Sequence, residues 1–355
     1  MKKRINKGKM GMKKLIKKST LILAAVGITG MLIGCQKSET TILPPTEKEQ
    51  QKEPFNPVTF TYWGEGKSYD VVVESPRQRA VTLSQFMTEM LLALGLENQM
   101  VATALLDNPI LPEFEEAYHQ IPVLQVGEGH AISKEAFIAS GADFVSGWDS
   151  SISEQTTGSA EELIKKDIVP FMAASYGIDA TIETVYEDFY LLGKLFNVED
   201  RAQKVVEQMK LDIKSITDQV GSIKEEDRIK VMVYDSGQND AMVVGAGLAN
   251  HLIELAGGNN IFLEDANKPY INVSWESVVA RNPEVILVTE FMAGDLAESK
   301  IEFLKSHPAL KEVSAIKNNR IYVVGLADLS PGIRNPKLIE KMYHYFYEVI
   351  ASEES

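Results

Sequence analysis

Short apolar runs rich in β-branched residues alternate along this chain with segments whose apolar positions recur every three or four residues. The runs, such as Phe144-Val145-Ser146 and Val231-Met232-Val233, predict buried strands; the periodic segments predict helices laid against them. Alternation of the two is the signature of an α/β fold. From Thr181 to Val220 there is no Pro and a single Gly, Gly193, while Ile182, Val185, Phe189, Leu192, Leu195 and Phe196 keep helical spacing. That stretch predicts one or two long helices between two strand-bearing regions.

The two strand-bearing regions repeat a pattern. Ser133–Ser146 aligns without gaps on Ser274–Leu287, with Ser, Glu and Ala coincident and the apolar positions in step. Each copy predicts an N-capping Ser, a short amphipathic helix, a turn carrying an acid and a buried strand. A second pair, Leu91–Val101 and Leu252–Phe262, predicts a helix ending at glycine before the chain resumes. Two matches in the same order predict two similar α/β lobes. A helical link between them is stiff, so only modest hinge closure is expected. Between such lobes a cleft forms at the carboxyl ends of strands, the place where open sheets bind ligands.

The N-terminus has a different character. Met1–Ser19 carries nine Lys or Arg and no acid, and the apolar run Leu21–Ile33 leads to Leu32-Ile33-Gly34-Cys35. A basic head, a short apolar middle and a small-residue end predict a secretion signal too short to span a bilayer comfortably; Met12 is an alternative start. Leu-Ile-Gly-Cys resembles a bacterial lipoprotein processing box, which implies that Cys35 is lipidated. Cys35 is also the sole cysteine, so that reading leaves no thiol for catalysis, a disulfide or a zinc cluster. Gln36–Pro57 is polar and charged and predicts a flexible tether. The expected organisation is a signal over 1–34, lipidated Cys and tether over 35–57, a first lobe over 58–180, a linking helical region over 181–221 and a second lobe over 222–355.

Charge narrows the partners. The chain carries net −14, and since residues 1–34 hold nine cations and no acid, the remainder sits near −23. Such a surface repels nucleic acid and anionic lipid headgroups, so membrane attachment would fall to the acyl chains. No Ser/His/Asp ordering and no Gly-x-Ser-x-Gly elbow is present. The five His share no ligand-like spacing, which disfavours a bare metal ion; His130, just before the first repeat helix, reads either as a solvated or capped loop residue, the commoner role of a lone His, or as a heme or metal ligand. Val244-Gly-Ala-Gly-Leu-Ala-Asn imitates a dinucleotide loop, but Asn250 stands where the third glycine belongs.

Further segments carry a family likeness: Arg79-Ala-Val-Thr-Leu-Ser-Gln-Phe-Met-Thr-Glu-Met-Leu-Leu-Ala-Leu-Gly-Leu, the two Ser-x-Glu helices, His251-Leu-Ile-Glu-Leu-Ala-Gly-Gly-Asn-Asn, Phe303-Leu-Lys-Ser-His-Pro-Ala-Leu and Lys317-Asn-Asn-Arg-Ile-Tyr-Val-Val. From about Val71 to Ile350 the chain resembles the helical-backbone class (class III) of ABC-importer substrate-binding lipoproteins, which handle iron siderophores, heme and cobalamin. The resemblance implies a monomeric, membrane-tethered receptor on the extracytoplasmic face, delivering a metal chelate to a permease dimer with its ATPase subunits. It implies that Glu135 and Glu276, one per lobe, dock against the two permease subunits. Two symmetric acids suit a two-fold partner, although a first-turn Glu also complements its helix dipole.

For the ligand, strand ends supply the candidates: Trp148, Tyr176, and the pair Tyr234 and Asp235. Ser84 and Gln85 open a helix whose free N–H groups suit an anionic or carbonyl oxygen. Arg334 lies in a loop that contacts ligand in proteins of this kind. Aromatic rings would cover a chelate's flat faces and an arginine its peripheral oxygens. Trp275 is expected to pack in the interior. A ferric siderophore or a cobalamin-like corrinoid is the leading ligand, with a heme receptor or a secreted lipoprotein hydrolase as alternatives.

Overall fold

The computed structural model describes residues 54–127, 132–292 and 296–348; the signal, Cys35, most of the tether and His130 lie outside the described residues. The chain enters through an antiparallel hairpin, β1 (Val58–Gly64) and β2 (Lys67–Val73). Its turn, Glu65-Gly66, takes left-handed φ at both positions (+54° and +72°), as a tight hairpin matched to strand twist requires. Tyr62, Val71 and Val73 point inward and are buried.

The first lobe follows: β3 (Ala80–Leu83), α1 (Gln85–Ala93), β4 (Met100–Thr103), the one-turn α2 (Glu115–Tyr118), α3 (Lys134–Ser140), β5 (Phe144–Gly147), α4 (Ala160–Lys165) and β6 (Val169–Phe171). Its four strands are all parallel, in the order β4-β3-β5-β6. Every residue of β3, β5 and β6 is buried, which is why these strands read as continuous apolar runs rather than alternating ones.

The linking region is two helices, α5 (Ile182–Phe196) and α6 (Glu199–Val220). The break between them is Asn197, which ends α5 in the left-handed conformation (φ +56°). Gly193 has a packing reason: a Cβ there would sit 2.7 Å from the Cβ of Ala202 on α6. The two helices cross so closely that only a missing side chain admits the contact.

The second lobe runs β7 (Ile229–Ser236), β8 (Ala241–Val244), α7 (Leu248–Leu255), β9 (Gly258–Asn260), β10 (Tyr270–Val273), α8 (Trp275–Arg281), β11 (Val285–Glu290), α9 (Ala297–Ser306), the one-turn α10 (Ser314–Lys317), β12 (Ile321–Gly325), the one-turn α11 (Leu326–Leu329) and α12 (Asn335–Tyr347). β9, β11 and β12 lie parallel to β7, giving the series β9-β7-β11-β12. That series repeats the order β4-β3-β5-β6 of the first lobe. β8 and β10 are additions, antiparallel to β7 and to each other in turn. The Gly-rich segment after Val244 belongs to this added edge, opening α7 at Gly247 (φ +80°).

Local details of the repeat coincide. Ser133 caps α3 by accepting from the Ala136 N–H, and Ser274 caps α8 by accepting from the Ser277 N–H. Each helix spans seven residues and stops at a left-handed residue, Gly141 or Asn282. Gly95 and Gly257, both at positive φ, follow α1 and α7. One continuous core runs through the first lobe, α5, α6 and one face of the second sheet; a second core covers that sheet's other face. Among the described residues no helix is long and apolar enough to cross a membrane.

Candidate functional site

Strand ends from both lobes open on a cavity of about 820 Å³. From the first lobe Trp148 leaves β5 and meets Phe86 and Tyr176 edge-on, with ring centroids 5.0 and 5.3 Å apart. Tyr176 is 39 % exposed and rides on a 3₁₀ turn, Ala174–Tyr176. That turn is fixed from below by Asp188 of α5. Its carboxylate accepts from the N–H of Ala174 (2.8 Å), the N–H of Ser175 (3.0 Å) and the Ser175 hydroxyl. Burial outweighs these donors and pushes the Asp188 carboxyl up to about 6.

The second lobe contributes Asp235 at the end of β7, Met242 of β8, Tyr270 at the start of β10 and Phe291 just past β11. Asp235 is held by two hydroxyls, Thr289 donating to Oδ1 (2.8 Å) and Ser236 to Oδ2 (2.9 Å). Burial, then Asp235, Tyr176 and Asp107, push the Tyr270 phenol up, so it faces the cleft as a neutral O–H. Two other surface hollows, of about 540 and 510 Å³, are each walled by second-lobe residues alone.

Loop 105–111 joins the lobes. Leu105 takes φ +61°, a costly conformation for a branched side chain that surrounding bonds must hold. The Gln85 side-chain Oε1 supplies two of those bonds, accepting from the N–H of Asp107 and of Asn108, each at 2.8 Å. Asn108 then reaches across, donating to the Glu290 carbonyl (2.8 Å) and accepting from the Ala327 N–H (2.9 Å). The Met292 N–H donates to the Asp107 carbonyl at 2.7 Å.

The structure brings Trp148, Tyr176 and Asp235 to the cleft and keeps four other candidates away from it. Tyr234 is 2 % exposed. Strand alternation turns it to the far face of the sheet with Met232, where it packs on Trp275 at 5.7 Å and donates to the Gly237 carbonyl. Trp275 is interior as well, its Nε1 donating to the Gln238 carbonyl. Ser84 is buried and makes no capping bond; Gln85 is buried with its amide committed to Glu89 and loop 105–111. Arg334 is engaged by a bidentate pair with Glu89 (2.6 and 2.7 Å), by Asp328 (3.1 Å) and by the Pro109 carbonyl (2.7 Å). Desolvation opposes its charge, but these acids outweigh that and hold the guanidinium above its ordinary value. It clamps the lobes together and is not among the residues that line the cavity.

Leu105, Asp107, Tyr270 and Phe291 were not foreseen. Phe291 could have been: the strand-end rule that selects Trp148 after β5, applied to the repeated strand β11, points to Thr289-Glu290-Phe291. Tyr270 opens a four-residue strand of the added edge and had no periodic signal.

Glu135 and Glu276 are exposed in the first turns of α3 and α8. A hydrogen bond from the Ser133 hydroxyl holds the Glu135 carboxyl below its usual range. Both helix starts lie at the cleft end of their sheets: Lys134 reaches the Glu154 carbonyl beyond β5, and Trp275 reaches Gln238 beyond β7. One turn after each Glu stands an exposed apolar residue, Ile138 (54 %) and Val279 (37 %), at equivalent positions of the repeat.

Two α/β lobes with equivalent four-strand series, a helical link and an aromatic cleft define a class III, binding-protein-like fold. The chain belongs to the periplasmic binding protein family, whose model matches residues 81–325. It is similar to an uncharacterized ABC transporter substrate-binding lipoprotein, YvrC, of Bacillus subtilis, at 23 % identity over 91 % of this chain and 92 % of that protein. A vitamin B12-binding protein of Vibrio campbellii is 23 % identical over 60 % of this chain and 71 % of its own. Among solved structures, a periplasmic binding protein from Veillonella parvula superposes with a TM-score of 0.75 at 27 % identity, covering 82 % of this chain and 98 % of that one. An Fe3+-hydroxamate transport protein from Saccharomonospora viridis shares the fold, with a TM-score of 0.66 at 23 % identity, covering 81 % and 98 %. These are binding proteins, not enzymes, and by its family this chain is a binding protein too.

Proposed function

We propose that the protein is an extracytoplasmic lipoprotein, anchored through Cys35, that captures a metal chelate and delivers it to the permease dimer of an ABC importer with its ATPase subunits. The chelate is a ferric siderophore or a cobalamin-like corrinoid. The observation that carries this reading is the cleft itself: about 820 Å³, walled by Trp148, Tyr176, Tyr270 and Phe291, suits a bulky guest with flat apolar faces. The relatives named for vitamin B12 and Fe3+-hydroxamate support the same chemistry. A family heme receptor is the second reading, supported by likeness to a Pseudomonas aeruginosa protein described as a periplasmic heme-binding protein.

The full chain in detergent, heated with ferric siderophores, corrinoids or hemin, should melt higher with its own ligand, because binding to the folded state alone raises stability by mass action. A panel in which nothing moves the melting point removes the reading. Docking is tested separately. Glu135→Ala with Glu276→Ala, and independently Ile138→Asp with Val279→Asp, should leave ligand affinity intact while stopping uptake. Unchanged uptake in both double variants rules out docking through these helices.

A further inference from the structure

We propose that the cleft selects for positive charge: its guest is a metal chelate that is cationic or carries a cationic arm, and anionic chelates are turned away. The inference rests on the chelate reading above and adds what separates one chelate from another. Among the described residues that line the cleft there are two carboxylates, Asp107 and Asp235, and no Lys, Arg or His. They come from opposite lobes, so a guest between the sheets meets an acid on each side.

The nearby cations do not reverse this. Arg334 is engaged by Glu89 and Asp328. Lys300 is buried behind the wall, donating to the Thr289 carbonyl (2.8 Å) with its ammonium over the Phe291 ring (4.9 Å from the centroid). Neither cation is among the described residues that line the cavity. The aromatic rings act in the same direction, since their faces are negative and attract cations. An anionic chelate would give up its hydration to enter a field of its own sign, with no guanidinium to receive its oxygens. The net charge near −23 of the chain from Cys35 onward draws cations toward the mouth from further out.

A pair of probes isolates charge from iron coordination. Ferric desferrioxamine B and its N-acetylated derivative share one trishydroxamate core and differ by a single ammonium group. Titration of the full chain by tryptophan quenching should show the cationic complex binding at least about tenfold tighter at low salt. Asp107→Asn with Asp235→Asn should close that gap, and a trianionic ferric triscatecholate should bind at least about a hundredfold more weakly. Should a corrinoid alone bind, cationic aquacobalamin against neutral cyanocobalamin gives the same comparison. Equal affinity within a pair, or tighter binding of triscatecholate or hemin, overturns the charge preference and leaves chelate capture standing. If none of these chelates binds, the proposed function falls with it.

Discussion

Arg334 and Glu89 lie 245 residues apart in sequence, yet the pair decides what each can do. Glu89 is buried in α1, and removing its partner leaves a buried charge uncompensated. Arg334→Met should therefore destabilise the protein by about 3–5 kcal/mol, and adding Glu89→Gln should recover most of that loss, as read by chemical denaturation. A variant that stays stable but loses ligand would instead make Arg334 a contact residue. Asp188 gives a pH signature. Its folded value of about 6 lies above the ordinary aspartate value of 3.8, so the folded state holds this proton more tightly than the unfolded chain. The stability it contributes is full below about pH 4 and is lost as pH rises through 6, on the order of 3 kcal/mol in all. The stability of the natural protein minus that of Asp188→Asn should decline over this window; a flat difference would contradict it. At this scale the sequence was partly readable. The capping serines and Trp148 follow from local pattern, whereas the fate of Arg334 depends on a partner that no local pattern records, and Tyr234 on a one-residue alternation at a strand end.

At the level of elements, the repeat was legible because each copy carries its own caps and turn. Ser133 and Ser274, with Gly141 and Asn282, end and begin the same seven-residue helix by the same bonds. The two long helices were legible from spacing, while their junction was not, because Asn197 breaks the run without Pro or Gly. Gly193 stood out in the sequence, and the α5–α6 crossing supplies its reason. Alanine there would raise helix propensity by about 1 kcal/mol, but overpacking against Ala202 should win, for a net loss of about 1–2 kcal/mol. Gly193→Ala combined with Ala202→Gly should relieve the clash and exceed the additive expectation in a double-mutant cycle; strict additivity would mean the helices can shift apart. The added strand β10 escaped notice because a four-residue edge strand carries too little pattern, whereas the strand leading into Val244 was visible. The glycines beside β8 imitated a nucleotide loop.

For the molecule as a whole, the sequence conveyed two lobes and a cleft but not how the lobes meet. Asn108, the Asp107 carbonyl and the Arg334 pair tie them together through bonds of the chain's own. With the stiff helical link, these ties leave little closing motion for a ligand to drive. If the chain hands its ligand to a transporter as proposed, an empty receptor shows that partner nearly the same outline as a loaded one. The transporter has little shape difference by which to refuse an empty carrier, and vacant copies occupy its docking place as readily as full ones. Raising the protein's abundance while ligand is scarce should slow import, through crowding at the gate by carriers with nothing to hand over. Uptake that climbs steadily with receptor number under those conditions would show that the transporter does distinguish the two.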